Sequence, residues 1–391
     1  MDMIPRTVTK GLRRLARQFP AIALTGPRQS GKSTLVRAVF GGDKPVVSLE
    51  DLDLRAWASE DPRGLLADHA EGAILDEVQR CPDLLSYLQG VIDADPVAGR
   101  WILTGSAQLD LRSGVNQSLA GRCAYVELLP FSVAELGDRR AERLAGQVLC
   151  GGYPPLYDRP FDPPDWHRQY LGTYLDRDLR AQIDLHNPTV FRQFLQVLAG
   201  HCGQQTDWSK IGTVVGVSHT TIRSWVSLLQ LSYITFTLPA YHRNFRKRLA
   251  KKPKLYWWDT GLACNLLGIT NEAQLRSHPA FGALCENWFV AELCKHRRHV
   301  LDDRPFYFWR EHAGTEVDLL AEGATDLYAL ECKAGRTIVS EWFEPLRSLA
   351  HTATVPVHAG LVYGGDDRRR RSAVDVLPWH RVLEWPGCRA G

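Results

Sequence analysis

The chain has 391 residues and a formal net charge of +3, with 45% hydrophobic and 23% charged residues. This length exceeds one typical hydrophobic core, so we expect two or three domains. The composition is that of a globular protein and includes no low-complexity tract or repeat, which excludes fibrous and repeat architectures. No apolar run approaches the roughly 18 residues that cross a bilayer, and the first residues lack the apolar core of a signal peptide. We therefore expect a cytoplasmic protein with no membrane partner.

Two further features of the composition bear on partners and compartment. The nine cysteines are odd in number and show no CxxC or Cys/His metal spacing, which favours reduced thiols over disulfides or a zinc site. Charge is distributed unevenly, since residues 201–260 carry nine Lys or Arg and only two Asp or Glu, a local net charge of +7. That segment predicts a polyanionic partner.

The first recognisable pattern is an apolar run, residues 21–24, that opens into a glycine-rich turn ending in Lys-Ser. The run of residues 34–40 after it is typical of a helix. Strand, glycine turn and helix together predict a P-loop, in which Lys32 reaches the β- and γ-phosphates of ATP and the Ser33 hydroxyl binds Mg²⁺. The predicted nucleotide-binding residues are Gly26, Pro27, Arg28, Gln29, Ser30, Gly31, Lys32, Ser33 and Thr34.

A second apolar run, residues 72–75, ends in the carboxylates Asp76 and Glu77. This is a Walker B pattern, so we expect Asp76 to hold Mg²⁺ through water and Glu77 to polarise the water that attacks the γ-phosphate. An exposed acidic pair is the alternative. The short β-rich run of residues 45–49 between the two motifs predicts an additional strand that separates the Walker strands, as in ATPases with a catalytic glutamate.

Three more side chains are candidates for the same site. Thr104 and Ser106 end the next predicted strand, and either hydroxyl could contact the attacking water or the γ-phosphate as a sensor; a strand-capping turn is the alternative. Arg122 is a candidate arginine finger supplied by a neighbouring subunit of a homo-oligomer, with a surface salt bridge as its alternative. Five strands alternating with helices predict a parallel α/β sheet that binds nucleotide at the carboxyl ends of its strands.

The middle of the chain changes character after the turn at residues 151–155. Residues 165–200 have helical periodicity, and from Trp208 a short helix, a Gly-Val-Ser turn and a second amphipathic helix predict a helix-turn-helix. Two β-rich runs follow, so we expect a winged helix that contacts duplex DNA; protein docking and a merely solvated charge run are the alternatives. The candidate DNA-contacting residues are His219, Thr220, Arg223, Arg243, Arg246, Lys247, Arg248, Lys251 and Lys252.

The last third of the chain contains a helix followed by three strand-like runs. Asp318 precedes Glu331 by thirteen residues, and Lys333 follows two residues later on the same strand face. This spacing matches the D…ExK arrangement of PD-(D/E)XK, restriction-endonuclease-like folds, in which two carboxylates hold one divalent metal. Glu286 on the preceding helix is a possible further ligand. A docking scaffold without nuclease chemistry is the alternative, and Asp366 to Arg371 are expected to form a solvated loop.

The motifs GPRQSGKSTL, ILDEVQR, ILTGSAQL, SLAGR, GGYPP, RLAKKPKLYWWDTGL and VDLL…LECKAG together give a resemblance over nearly the whole chain. The sequence resembles prokaryotic AAA-type P-loop ATPases that carry a winged-helix linker and a restriction-endonuclease-like domain of uncharacterised function. The resemblance implies ATP binding and hydrolysis, with domains at residues 1–150 (ATPase), 151–200 (helical lid), 201–268 (winged helix) and 269–391 (nuclease-like).

The expected function is therefore that of an oligomeric, Mg²⁺-dependent ATPase acting on or at DNA. The alternative is a nucleotide-switched regulator whose winged-helix and C-terminal domains bind a protein partner and have no nuclease activity.

Overall fold

The computed structural model describes residues 3–105, 119–173, 188–242, 251–311, 314–371 and 373–389. They form two compact units. The first unit comprises Met1–Phe131, Leu231–Tyr233 and Arg298–Asp302, and the second comprises the rest of the chain. The division thus falls after Phe131, whereas the sequence predicted a boundary near residue 150. The predicted lid, helix-turn-helix and C-terminal segments lie together in the second unit.

The first unit is built on a five-stranded parallel sheet with strand order β2-β3-β4-β1-β5. Its strands are β1 (Ala21–Thr25), β2 (Val46–Ser48), β3 (Ile74–Asp76), β4 (Trp101–Gly105) and β5 (Cys123–Glu127). Its helices are α1 (Thr9–Ala16), α2 (Lys32–Phe40), α3 (Leu52–Glu60), α4 (Pro62–Asp68) and α5 (Leu84–Ala94). The strands β1, β3 and β4 are buried throughout, as expected for a parallel sheet covered on both faces.

The Walker strands β1 and β3 do not pair with each other, because β4 lies between them: Leu103 pairs with Ala23 on one side and with Leu75 on the other. The sequence predicted this separation but attributed it to the strand at residues 45–49. That strand, β2, is instead at the edge of the sheet. The burial of the side chains agrees with these positions in the sheet. All five residues of the central strand β4 are buried, whereas two of the three side chains of the edge strand β2 are half-buried.

Between the two large sheets the described residues are mainly helical, and β6 (Thr235–Leu238) pairs with β7 (Lys254–Trp257) in an antiparallel arrangement, the β6–β7 hairpin. The helices are α6 (Val133–Leu136), α7 (Leu144–Cys150), α8 (Pro155–Asp158), α9 (Pro163–Tyr170), α10 (Pro188–Gly200), α11 (Trp208–Val215), α12 (His219–Leu231), α13 (Thr260–Leu266), α14 (Glu272–Ser277) and α15 (Phe281–Val300). The side chain of Asp207 caps α11, and Gly216, at φ 80°, ends it in the left-handed conformation. These local signals produce the predicted pair of helices and the turn between them.

The second unit ends in a six-stranded mixed sheet with order β12-β13-β11-β10-β9-β8. Its strands are β8 (Phe306–Arg310), β9 (Glu316–Glu322), β10 (Leu327–Lys333), β11 (Val357–Tyr363), β12 (Arg369–Arg371) and β13 (Val374–Pro378), and helix α16 (Glu344–Thr352) connects the parallel strands β10 and β11. The predicted loop at residues 366–371 is therefore wrong in its second half, because Arg369 to Arg371 pair with β13.

The antiparallel register of β9 and β10 matters for the site. Leu330 pairs with Leu319, so the next position along each strand brings Glu331 opposite Asp318. Both acidic residues are buried. Across the parts of the chain that the structure describes, no helix combines the length and the apolar character needed to span a membrane.

Candidate functional site

The turn after β1 is shaped for phosphate. Gly26 has φ 153°, and a Cβ there would lie 2.1 Å from the Leu128 carbonyl oxygen, so a side chain does not fit. Gly31, at φ 91°, is the left-handed residue from which α2 begins. The free N–H groups at the start of α2 therefore follow directly on the glycine turn, the arrangement that binds anions at helix N-termini. Ser30 has a buried hydroxyl which, among the described residues, has no hydrogen-bond partner.

Lys32 lies inside this turn and is only 5% exposed. Its Nζ donates to the carbonyl oxygens of Gly26 (3.1 Å) and Pro27 (2.9 Å). Burial lowers the pKa of Lys32 to about 8, although the nearby carboxylates of Glu77 and Asp76 raise it. A phosphate would offer this ammonium a charged acceptor in place of two neutral carbonyls, which makes the stronger hydrogen bond.

The Walker B carboxylate is connected to both the P-loop and β4. Ser33 Oγ donates to Asp76 Oδ1 at 2.7 Å, and the hydroxyl of Thr104 donates to the same oxygen. Thr104 Oγ1 also accepts the backbone N–H of Glu77 at 3.2 Å. Thr104 is fully buried, so its hydroxyl fixes the turn that presents Asp76 and Glu77. Glu77 is half-buried and has φ 58°, an uncommon conformation for a residue with a side chain.

The donor set fits Mg²⁺ in the company of a nucleotide. Ser33 and Asp76 provide one hydroxyl and one carboxylate, both hard oxygen ligands, 2.7 Å apart. Mg²⁺ usually keeps several waters and takes its remaining ligands from one or two side chains and from substrate phosphates. Such a site needs few protein ligands, and across the described part of the chain no group of three or more His, Cys, Asp or Glu side chains is arranged to hold a metal ion.

Two contacts of this site were not foreseen from the sequence. Arg6 is 7% exposed, and its guanidinium donates to the carbonyl oxygens of Ser30 (2.9 Å) and Leu129 (2.5 Å). Tyr233 Oη is hydrogen-bonded to Thr25 Oγ1, at the end of β1, at 2.6 Å. Neither residue belongs to a recognisable nucleotide-binding motif, so no local pattern could have identified them.

Arg122 lies at the opposite end of the same sheet. Its carbonyl oxygen accepts the N–H of Ala21, the first residue of β1, whereas the P-loop follows the last residue. Its guanidinium forms a two-bond ion pair with Asp93, through Nε and through Nη2 at 2.9 Å. Within one chain Arg122 thus makes the salt bridge that was the alternative, and its action on a neighbouring subunit stays a prediction.

The remaining predicted nucleotide-site residues lie on the same turn and helix. Pro27 is buried, Arg28 is half-buried, and Gln29 and Thr34 are exposed. The other candidate sensor, Ser106, lies outside the described residues.

The candidate DNA-contacting residues are only partly described. His219, Thr220 and Arg223 are exposed on α12, the second helix of the helix-turn-helix. Lys251 and Lys252 are also exposed, and Lys252 Nζ forms an ion pair with Asp207 at 2.7 Å. The other candidates, Arg243, Arg246, Lys247 and Arg248, lie outside the described residues.

The structure also brings the four candidate nuclease residues into one cluster in the second unit. Asp318 Oδ2 accepts the backbone N–H of Cys332 at 2.8 Å, and Lys333 Nζ lies 2.5 Å from Glu331 Oε1. Burial raises the pKa of Glu331 to about 7, against the opposing effect of Lys333. Burial, together with Glu331 and Glu286, also raises the pKa of Asp318 well above its usual value.

A lysine that the sequence did not single out lies among these carboxylates. Lys254, the first residue of β7, is 2% exposed. Its Nζ is 2.9 Å from Glu286 Oε1, forms an ion pair with Glu316 and is 3.9 Å from Asp318 Oδ1. Although burial opposes it, the charges of Glu286, Asp318 and Glu316 raise the pKa of Lys254, so the ammonium form is held. A lysine within the apolar run KLYWW was the available signal, because a buried lysine requires anionic partners.

Three family models match successive segments of the chain. Residues 18–137 match the family described as "AAA domain", residues 141–273 match "Domain of unknown function (DUF8612)", and residues 281–382 match "Domain of unknown function (DUF4143)". Among solved structures, the Walker-type ATPase paby2304 of Pyrococcus abyssi is 17% identical, with a TM-score of 0.47 over 68% of this chain and 96% of that chain.

Two relatives are similar over almost the full sequence. They are the uncharacterized proteins Rv2008c of Mycobacterium tuberculosis and Mb2031c of Mycobacterium bovis, each 32% identical over 383 residues, which is 97% of this chain and 84% of the relative. The match to the AAA domain covers β1 with its P-loop and β3 with its paired carboxylates. The chain therefore belongs to the family of these two mycobacterial proteins, and its first unit is an AAA-type P-loop domain.

Proposed function

We propose that the protein is a Mg²⁺-dependent ATPase. The observation that carries the proposal is a chain of three hydrogen bonds, which links Ser33 to Asp76, Asp76 to Thr104 and Thr104 to the backbone of Glu77. The buried Lys32 lies next to it. It supports a nucleotide whose phosphates lie on the glycine turn and whose Mg²⁺ is held by Ser33 and, through water, by Asp76. The bound ion would neutralise charge that develops on the phosphates.

Within this proposal Glu77 acts on the attacking water. Its backbone is fixed by the hydrogen bond to Thr104, while its half-buried carboxylate stands beside the carboxylate that holds the metal. A positioned general base contributes typically 10²- to 10⁴-fold to a reaction rate. Lys32 has a different role, because it binds the phosphates in both the ground state and the transition state.

The test compares Lys32→Ala with Glu77→Gln by isothermal titration with ATP and by phosphate release. Lys32→Ala should abolish nucleotide binding, whereas Glu77→Gln should keep ATP affinity and lower turnover by about 10²- to 10⁴-fold. Lys10→Ala, an exposed lysine of the same unit, is the control and should behave as the wild type. An equal loss of ATP affinity in both site variants would refute the role given to Glu77.

We further propose that the helix-turn-helix with its β6–β7 hairpin is a winged helix that contacts duplex DNA. The exposed His219, Thr220 and Arg223 on the second helix and the net charge of +7 on residues 201–260 support this. In this reading α12 enters the major groove and the basic hairpin contacts phosphates.

A salt series of electrophoretic shifts tests the DNA contact. Affinity for duplex DNA should fall steeply with salt, since bound phosphates release counterions. Arg223→Ala should weaken binding, and Arg276→Ala, an exposed arginine on α14, should not. Binding that is absent, or that is insensitive to salt, would contradict the proposal.

The assembly proposed here is a cytoplasmic homo-oligomer in which Arg122 reaches a neighbouring active site. A second candidate function is a nucleotide-switched regulator that docks a protein partner and has no nuclease activity. The observation that favours it is the ammonium of Lys254 among the candidate nuclease carboxylates. ATPase rates with and without DNA separate the two, because only the DNA-acting enzyme should be stimulated by DNA.

A further inference from the structure

Glu286 and Asp318 of the D…ExK cluster, together with the neighbouring Glu316, surround a cation that the chain itself supplies. Glu286 comes from α15, Glu316 and Asp318 come from β9, and the ammonium of Lys254 comes from β7. All three carboxylates have an oxygen within 4 Å of Nζ, and two of them are at hydrogen-bond or ion-pair contact. An ammonium has three N–H donors, and here Glu286 and Glu316 are in direct contact with it while Asp318 lies at ion-pair distance.

The position of Lys254 is fixed by its neighbours. Its backbone pairs with Leu238 in the hairpin and bridges to Gln205 on the other side. Tyr256 lies two residues further along β7, and its Oη donates to Glu286 Oε1 at 2.7 Å. Both Lys254 and Tyr256 of this strand therefore contact the Glu286 carboxylate. The backbone of Lys254 is thus anchored on both sides, beside the carboxylates that its side chain meets.

These contacts do not fit a divalent metal at the same carboxylates. Mg²⁺ or Mn²⁺ would take its oxygens from Asp318 and Glu286, which already face a buried ammonium, and the two cations would repel each other at short range. Glu331, the other predicted ligand, is engaged with Lys333 at 2.5 Å.

We infer that the Lys254 ammonium occupies the cation position of the D…ExK cluster, and that the cluster is an internal ion-pair lock between the β6–β7 hairpin and the C-terminal sheet. The lock lies wholly within the second unit. Glu286 and Asp318, which match a nuclease pattern, then serve with Glu316 to hold the helix-turn-helix segment against the sheet. This inference does not depend on ATP hydrolysis or on DNA binding.

The test counts bound Mn²⁺ by electron paramagnetic resonance on the full chain without nucleotide. Binding to the cluster is identified by its loss in Asp318→Asn. The wild type should bind no Mn²⁺ that depends on Asp318. Lys254→Ala should bind one Mn²⁺ per chain that the double variant Lys254→Ala/Asp318→Asn loses, because the vacated carboxylates form a cation site. Lys210→Ala, which removes an exposed lysine of the same unit, should match the wild type.

Three results would overturn the inference. The first is Mn²⁺ bound by the wild type and lost in Asp318→Asn, which would show a working metal centre. The second is a folded Lys254→Ala that binds no Mn²⁺, since the cluster would then be no cation site. The third is an Asp318-dependent Mn²⁺ site that appears in the wild type when ATP and duplex DNA are added, which would make Lys254 a removable gate. If Lys254→Ala does not fold, Mn²⁺ bound by the wild type and lost in Asp318→Asn still overturns the inference, and its absence supports it.

Discussion

Replacement of Lys254 by methionine should destabilise the second unit strongly. Methionine keeps most of the length of the side chain but removes the charge, which leaves Glu286, Glu316 and Asp318 without their shared cation. Because Lys254 is 2% exposed, water cannot replace it. Removal of one partner from a buried ion pair costs about 3–5 kcal/mol, and we expect a loss of this size in the free energy of unfolding.

Urea unfolding followed by tryptophan fluorescence measures the effect, because ten of the twelve tryptophans belong to the second unit. Urea is uncharged and does not screen the ion pair as guanidinium would. Burial already raises the pKa of Asp318 above its usual value, and without the ammonium this pKa should rise further. A carboxyl whose pKa is higher in the folded than in the unfolded state contributes stability at low pH that is lost as pH rises, so the deficit should be larger at pH 8 than at pH 5. A loss below about 1 kcal/mol at pH 8, the value typical of an exposed pair, would refute the buried lock.

Three further predictions concern single residues. Mixing Arg122→Ala subunits with Lys32→Ala subunits should restore part of the ATPase rate, since each supplies what the other lacks; no recovery in oligomers shown to be mixed would exclude a finger in trans. Thr104→Val should lose about 1–3 kcal/mol of stability, because it leaves the Glu77 N–H without its acceptor. The same variant should lower ATP turnover more than ATP affinity, and unchanged turnover would show that the hydroxyl only caps the strand. Cys150 should alkylate slowly at pH 8, with a rate that rises about tenfold per pH unit, because burial raises the pKa of its thiol to about 11; rapid labelling, assigned by mass spectrometry against Cys150→Ser, would contradict this.

Much of the nucleotide site could be predicted because it is built from contiguous residues. The glycine turn needs Gly26 where the Leu128 carbonyl approaches and Gly31 where φ is positive, and both requirements are visible as sequence spacing. Asp76 could be placed for the same reason, because four apolar residues before it predict a buried strand. Arg6 could not, since its contact with Ser30 joins segments that no local pattern relates.

Strand order was harder to predict than strand existence. The sequence patterns of β2 and β4 both predict strands. In the sequence, β2 lies between the two Walker motifs and β4 follows the second, which does not determine their order in the sheet. Which of them is central depends on how completely its side chains are covered. The five buried residues of β4 suit the middle of the sheet, and the half-buried Val46 and Ser48 of β2 suit its edge.

The GGYPP and WWDTGL motifs, read separately along the chain, form one joint in the second unit. The N–H of Gly152 donates to Asp259 Oδ2 at 2.7 Å, and a Cβ on Gly151 would lie 2.2 Å from Asp259 Oδ1. His167 Nε2 is 3.6 Å from the same carboxylate oxygen, and all of these groups are buried. Residue identity here is set by close packing around one buried carboxylate, a requirement that becomes visible only when the two segments meet. These two motifs are thus explained by close packing around Asp259, without a catalytic role.

The D…ExK spacing posed a different problem, because it specifies the carboxylates and leaves their cation open. The pairing of β9 with β10 places Glu331 opposite Asp318 whether the ligand is a metal or an ammonium. Buried carboxylates need a positive partner in either case, since an uncompensated charge in the interior is costly. What distinguishes the two outcomes is whether another segment supplies a cation, and here β7 brings in Lys254. A nuclease pattern in such a chain therefore predicts where negative charge is buried, and the nature of the cation has to be read from the segment that packs against it.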